Sequence, residues 1–224
     1  MMGSKSHLGK REPPALSYRL GMPPVDLLEA MRAVARGDPA IESALRQSAD
    51  LAQVALSVGA ARHSATAFYL GDIEHYVYTG DTLLHVAAAA YASKVARILL
   101  GAGANVDARN RRGAQPLHYA ADGGPGLRTW NPGAQGGIVK LLIAAGADPN
   151  ALDKSGVAPL HRAVRTRCTG AVRALLAGGA DPRLRNKNGS TPLDLARATT
   201  GRGGSGSEEA KHEQRAILQL LSRE

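Results

Sequence analysis

The sequence predicts an all-α fold: a solenoid of stacked helix pairs joined by hairpin-like fingers, with a helical N-terminal cap. Three observations lead there. A nine-residue motif occurs four times, as Gly80-Asp-Thr-Leu-Leu-His-Val-Ala-Ala88, Gly113-Ala-Gln-Pro-Leu-His-Tyr-Ala-Ala121, Gly156-Val-Ala-Pro-Leu-His-Arg-Ala-Val164 and Gly189-Ser-Thr-Pro-Leu-Asp-Leu-Ala-Arg197, with lead glycines 33, 43 and 33 residues apart. A second motif keeps step with it: Gly103-Ala-Asn-Val-Asp107, Gly146-Ala-Asp-Pro-Asn150 and Gly179-Ala-Asp-Pro-Arg183. Two motifs in phase at a period near 33 residues mark a stacked repeat array. Aromatic residues make up only 4% of the chain while alanine and glycine are plentiful, which suits short, closely packed helices.

Taken in order, residues 1–24, with Pro13-Pro14 and Pro23-Pro24, read as a flexible arm. Residues 25–75 read as a helical N-terminal cap or degenerate repeats, since a solenoid must shield its first apolar face. One helix is expected from Val25 to Gly37, a second from Asp38-Pro39 to about Gln47, and a further apolar run spans Leu51 to Val58. The array then occupies residues 76–222, as repeats at about 76–109, 110–152, 153–185 and 186–222. In each, the lead glycine (Gly80, Gly113, Gly156, Gly189) suits a turn with positive φ. Thr82 and Thr191 stand where an N-cap oxygen is wanted, with Gln115 and Ala158 as weaker replacements. Pro116, Pro159 and Pro192 follow at the first helical position, where a missing N–H costs nothing. Gly103, Gly146 and Gly179 close the second helices as left-handed caps.

Two stretches break the period. The His118-to-His161 interval is ten residues longer than its neighbours. The excess falls at residues 123–137, rich in glycine and holding the only tryptophan, Trp130, and is expected to be a loop insertion. A Gly/Ser connector at 200–207 precedes a closing helix from about Glu208 to Ser222, apolar at Ala216, Ile217, Leu220 and Leu221.

The motifs, with their Pro-Leu-His-x-Ala core, resemble those of the ankyrin-repeat family, over about residues 76–222. The resemblance implies a non-catalytic protein-interaction module. It also implies that His85, His118 and His161 hydrogen-bond between neighbouring repeats, and that finger tips and first helices line a partner-binding face. Carried over by position, this face comprises Tyr78, Thr79, Asp81, Arg109, Arg111, Arg112, Ala114, Asp122, Leu152, Lys154, Ser155, Arg165, Thr166, Arg185, Lys187, Asn188 and Ser190, with Trp130 at the rim. The formal charge of +9 is concentrated in the array, where residues 78–200 hold sixteen basic and seven acidic groups. An acidic protein partner is therefore expected, with nucleic acid or another polyanion as the alternative occupant of the same basic strip. Against nucleic acid, no aromatics interleave the basic tips in the sequence.

Other chemistries are weaker. The recurring histidines are one stacking step apart, roughly 10 Å, too far to share a zinc ion bound at about 2 Å. Cys168 follows Arg165 and Arg167, which would favour a thiolate, but it lacks a positioned base and is expected to be structural. Gly201–Ser207 lacks the Gly-Lys-Ser/Thr ending of a phosphate loop. Residues 25–75 hold only His63 and His75 as likely bases and no nucleophile signature. No catalytic constellation, cofactor site or metal site is expected. One cysteine permits no internal disulfide, which fits a cytoplasmic, reducing setting, and no apolar run is long enough to span a membrane; a monomer is expected.

Overall fold

The computed structural model describes residues 26–198 and 207–222. The arm at 1–24 and the Gly/Ser connector, apart from Ser207, lie outside the described residues. Ten α-helices are described: α1 (Leu27–Arg36), α2 (Ala40–Gln47), α3 (Leu83–Ala89), α4 (Ser93–Gly101), α5 (Pro116–Ala120), α6 (Pro132–Ala144), α7 (Pro159–Arg165), α8 (Thr169–Ala177), α9 (Pro192–Arg197) and α10 (Glu208–Leu221). None is long and apolar enough to cross a membrane.

The helices form two parallel rows. The odd-numbered members stack as α1 on α3, α3 on α5, α5 on α7 and α7 on α9; the even-numbered members stack as α2, α4, α6, α8 and α10. Each pair presents an apolar stripe that only a neighbour can cover, so burial runs continuously along the stack. Leu83, Leu84, Leu117, Leu160 and Leu175 are fully buried in that core, and the motif alanines let the rows approach closely. The helices start where the motif proposes. Thr191 caps α9 through the Asp194 amide, and prolines open α5, α7 and α9.

The fingers share a second device that joins repeat to repeat. Asn110, Asp153 and Asn186, three residues before a lead glycine, each fold a side-chain oxygen over two backbone amides of their own finger, at 2.8–3.1 Å. This is an Asx turn, and it presents the outer edge of each finger to the one before. Arg111 N then donates to Thr79 O (2.7 Å), Lys154 N to Arg112 O (2.9 Å) and Lys187 N to Ser155 O (3.2 Å).

Residues 51–75 depart from the helical expectation. After α2 the chain makes a 3₁₀ turn at Ala49–Ala52, runs extended, makes another at Ala65–Phe68 and forms a hairpin of β1 (Tyr69–Leu70) and β2 (His75–Tyr76). Apolar Leu51, Ala52 and Leu56 still reach the core. The backbone is drawn off the helix by the first finger: Leu56 N donates to Asp81 O, Gly80 N to Leu56 O and Ala60 N to Val77 O, at 2.7–2.8 Å. Gly59 permits this approach, because a Cβ there would lie 2.3 Å from Thr79 N.

The insertion is also shorter than 123–137. Helix α6 begins at Pro132, capped by the Asn131 side chain, which accepts from Ala134 N at 2.9 Å. Its glycines serve packing: a Cβ on Gly136 would sit 3.1 Å from Gly170 O, and one on Gly170 would sit 2.5 Å from Pro132 O. Glycine at both positions lets α6 and the start of α8 touch backbone to backbone.

Candidate partner surface of fingers and groove

The motif histidines tie the stack together beside this surface. His85 Nδ1 accepts from Thr82 N (3.1 Å), His118 Nδ1 from Gln115 N (3.2 Å) and His161 Nδ1 from Ala158 N (3.3 Å). A backbone amide can only donate, so each Nδ1 carries its lone pair and each Nε2 carries the proton. The Nε2 atoms donate across the repeat boundary, to Ala114 O (3.2 Å), Val157 O (3.0 Å) and Ser190 O (3.2 Å). Protonating Nδ1 would break the first bond and place a charge out of water. Burial accordingly lowers all three pKa values, that of His118 to about 4. The fourth copy has Asp194, whose Oδ2 accepts from Thr191 N (2.9 Å). It cannot donate onward, and no further finger follows it among the described residues.

Between the fingers and the odd-numbered helices lies a groove of about 510 Å³, whose walls include His75, Tyr78, Arg112, Asp122, Arg162 and Arg165. Its floor is an ion-pair network. Arg162 reaches Asp122 at 2.6 Å and Asp153 at 3.0 Å, and Arg165 stands 3.7 Å from Asp122. Burial alone would raise the Asp122 pKa, but the charges of Arg162, His75 and Arg165 outweigh it and the net shift is downward. Asp153 behaves alike, with backbone amides and Arg162 overcoming burial. Arg162 stays charged, since its two carboxylates more than offset its own loss of hydration.

The sequence-selected residues divide into three groups. Arg109, Arg111, Arg112, Leu152, Lys154, Arg165, Arg185 and Lys187 are exposed, and Tyr78, Thr79 and Thr166 are half-buried. Finger pairing sets Arg111, Arg112, Lys154 and Lys187 on adjoining fingers, and none of the six finger cations meets a carboxylate among the described residues. Several brace the fold with part of their guanidinium: Arg109 donates to Leu152 O (2.8 Å) and Gly113 O (3.2 Å), Arg185 to Gly189 O (2.6 Å) and Arg111 to Ala60 O. Thr166 turns its hydroxyl onto Ala121 O and Arg162 O.

Two candidates change role. Asp81 is 0% exposed and cannot touch a partner. Its carboxylate accepts from Tyr78 N (2.6 Å), Asn110 Nδ2 (2.9 Å) and Tyr119 Oη (2.7 Å), organising the first finger, where the position three before the glycine is Val77 and no Asx turn is available. Trp130 is half-buried and packs on the core, with Nε1 donating to Gln135 Oε1 at 3.2 Å. Gln135 is itself buried and donates to Ala120 O, Asp122 O and Gly123 O, so the indole fastens the shortened loop. Cys168 is fully buried, its sulfur accepting from Ala171 N at 3.4 Å, and burial raises the thiol pKa, which argues against a reactive thiolate.

The sequence selected Asp122 and Arg165 but not the pairing of the floor, because Asp122 lies one repeat before Asp153, Arg162 and Arg165 and meets them only when the repeats stack. Arg162 was legible only as the variable residue after His161. No group of His, Cys, Asp and Glu able to hold a metal is present among the described residues.

Comparison with known proteins agrees with this architecture. Residues 79–111 and 112–154 each match the model of the Ankyrin repeat, and residues 142–196 match that of Ankyrin repeats in many copies. No curated protein matches the chain significantly. With matched segments running through three successive helix pairs into the fourth, the chain belongs to the ankyrin-repeat family.

Proposed function

We propose that this chain is a non-catalytic protein-interaction module that takes an acidic protein surface along its finger edge and the adjoining groove. Ankyrin repeats in general mediate protein–protein interaction. The observation supporting the acidic partner is the row of finger cations. Arg112, Lys154 and Lys187 are exposed, and they are set in line by the backbone bonds from each finger to the one before. The groove floor holds Asp122 and Asp153 beside Arg162, a mixed lining that suits a protein surface better than a run of phosphates. Charges on an exposed edge act mainly on association rate and partner choice.

The test is affinity co-purification from the native cell at physiological salt, after nuclease treatment, with wild type and with the Arg112→Glu, Lys154→Glu, Lys187→Glu triple variant. Wild type is expected to retain an acidic protein near stoichiometry, and the triple variant to lose it with its melting temperature unchanged. Equal recovery by both proteins would remove the finger edge from the interface. Material that disappears with nuclease would mean a polyanion instead.

A further inference from the structure

We infer that the hairpin inserted before the first finger is a docking site of its own, whose tyrosine ridge with Arg111 and Arg112 grips an acidic segment of a protein partner. The inference rests on the interaction-module reading and concerns a surface that adjoins the finger row, sharing Arg111 and Arg112 with it but not Lys154 or Lys187.

The hairpin is additional to the repeat plan. The connections from α4 to α5, α6 to α7 and α8 to α9 are of one length, whereas the stretch between α2 and α3 is longer, and the bond from Ala60 N to Val77 O (2.8 Å) closes residues 61–76 off within it. The period-two alternation of strands sorts this insert into two faces. Leu70, His75 and Val77 turn inward: Leu70 and Val77 are buried, and the His75 ring packs edge-on against Tyr119 of α5 at 4.5 Å. The insert is also held by Arg32 of α1, which donates to Ala67 O (3.1 Å), and at its turn by Glu74, which pairs with Arg128 (3.5 Å).

The other parity faces out. Tyr69 and Tyr76 are cross-strand partners with ring centroids 4.8 Å apart, and they are 39% and 40% exposed. Tyr78, two residues on, continues the ridge. Both Arg111 and Arg112 lie over its ring, at 5.2 and 4.9 Å, and Arg112 Nη1 also donates to its hydroxyl at 2.9 Å. Arg111 is further held by Ala60 O.

Rigid tyrosines beside pre-set arginines are the side chains that dominate protein interfaces, because they bury much area for little loss of rotamer entropy. Charge decides the occupant. The two guanidiniums beside the ridge meet no carboxylate among the described residues, while the acids of the insert stand at its turn, where Glu74 is already paired with Arg128. An acidic segment carrying an apolar side chain fits: the apolar group lies on Tyr69 and Tyr76, and its carboxylates meet Arg111 and Arg112. Single-stranded nucleic acid also favours aromatic platforms. Here the Tyr78 ring already carries its two arginines, which leaves protein as the better fit.

The experiment is a selection of random twelve-residue peptides displayed on phage against the full chain, followed by affinity measurement of the enriched peptides. Three proteins are compared: wild type, the Tyr69→Ala, Tyr76→Ala variant and the Lys154→Glu, Lys187→Glu variant. A Tyr69→Phe, Tyr76→Phe variant controls for folding. The expected result is enrichment of peptides with Asp or Glu around an apolar residue, bound at least tenfold more weakly by the double-alanine variant but near normally by the phenylalanine variant. Equal affinity for wild type and the double-alanine variant, with loss in the double-glutamate variant, overturns the hairpin site while leaving the finger edge standing. No enrichment, or enrichment without acidic residues, overturns it as well. Retention of oligo(dT) by wild type that is lost in the double-alanine variant assigns the ridge to nucleic acid and also overturns it.

Discussion

Tyr119 donates its hydroxyl to the Asp81 carboxylate at 2.7 Å, joining two repeats through a bond sealed from solvent at both ends. The same carboxylate holds Tyr78 N and Asn110 Nδ2, so one buried oxygen pair sets the first finger against the second. A buried charge is tolerable when its hydrogen bonds are complete and costly when one is removed.

Tyr119→Phe keeps the ring and its packing and deletes the hydroxyl that donates to Asp81 and accepts from Asn110 Nδ2 at 3.0 Å. The expected loss is about 1–3 kcal/mol, because Asp81 is left short of a partner it cannot replace with water. Equilibrium urea unfolding checks it. Stability equal to wild type would mean that Asn110 and Tyr78 suffice.

The motif histidines make stability depend on pH. Their folded pKa values lie below the ordinary histidine value, that of His118 at about 4. The unfolded chain therefore takes up protons first as pH falls. Their contribution is complete above about pH 6.5 and is lost on acidification, for His118 at up to roughly 1.4 kcal/mol per pH unit between about 6.5 and 4. His118→Ala removes one such group, so its stability profile between pH 6.5 and 4 is expected to be flatter than wild type. Parallel profiles would exclude His118 as a source of the slope.

Two equivalent glycines are expected to respond differently to alanine. Gly113 and Gly189 both have positive φ, 76° and 77°. A Cβ on Gly113 would lie 2.9 Å from Lys154 N, whereas Gly189 has nothing within 4 Å. Gly189→Ala should cost only the backbone term of about 1 kcal/mol. Gly113→Ala must also displace the next finger and should cost about 2–4 kcal/mol. Thermal melts of the two variants give the comparison, and equal losses would dismiss the finger contact.

Arg162→Ala leaves Asp122 and Asp153 without their shared cation, for an expected loss of about 2–4 kcal/mol at neutral pH. Burial then acts on Asp122 against Arg165 and His75 alone, and its pKa rises from the depressed wild-type value. Protonation becomes easier in the folded variant than in folded wild type, so its deficit against wild type should shrink between pH 7 and 4.5. Urea titrations at the two pH values measure that deficit, and a constant one would contradict the network.

What the sequence by itself determined is the repeating part of this protein. Lead glycines, proline starts, leucine stripes and histidines act within one repeat or on the next, so their spacing carries their geometry. Tertiary structure decided what depends on the partner of a group. Asp81 occupies an exposed place in the repeat pattern, yet the Tyr119 hydroxyl of the next repeat claims it. Trp130, in a glycine-rich stretch, is drawn against Gln135 once Asn131 and Pro132 start α6 early. The hairpin at residues 69–76 was not legible: residues 25–75 read as helical, and its strands are two residues each. Only folding brought Tyr69 beside Tyr76 and Arg111 and Arg112 over Tyr78. A local backbone preference is written in neighbouring residues, whereas a surface is assembled from residues whose distance along the chain says nothing of their distance in space.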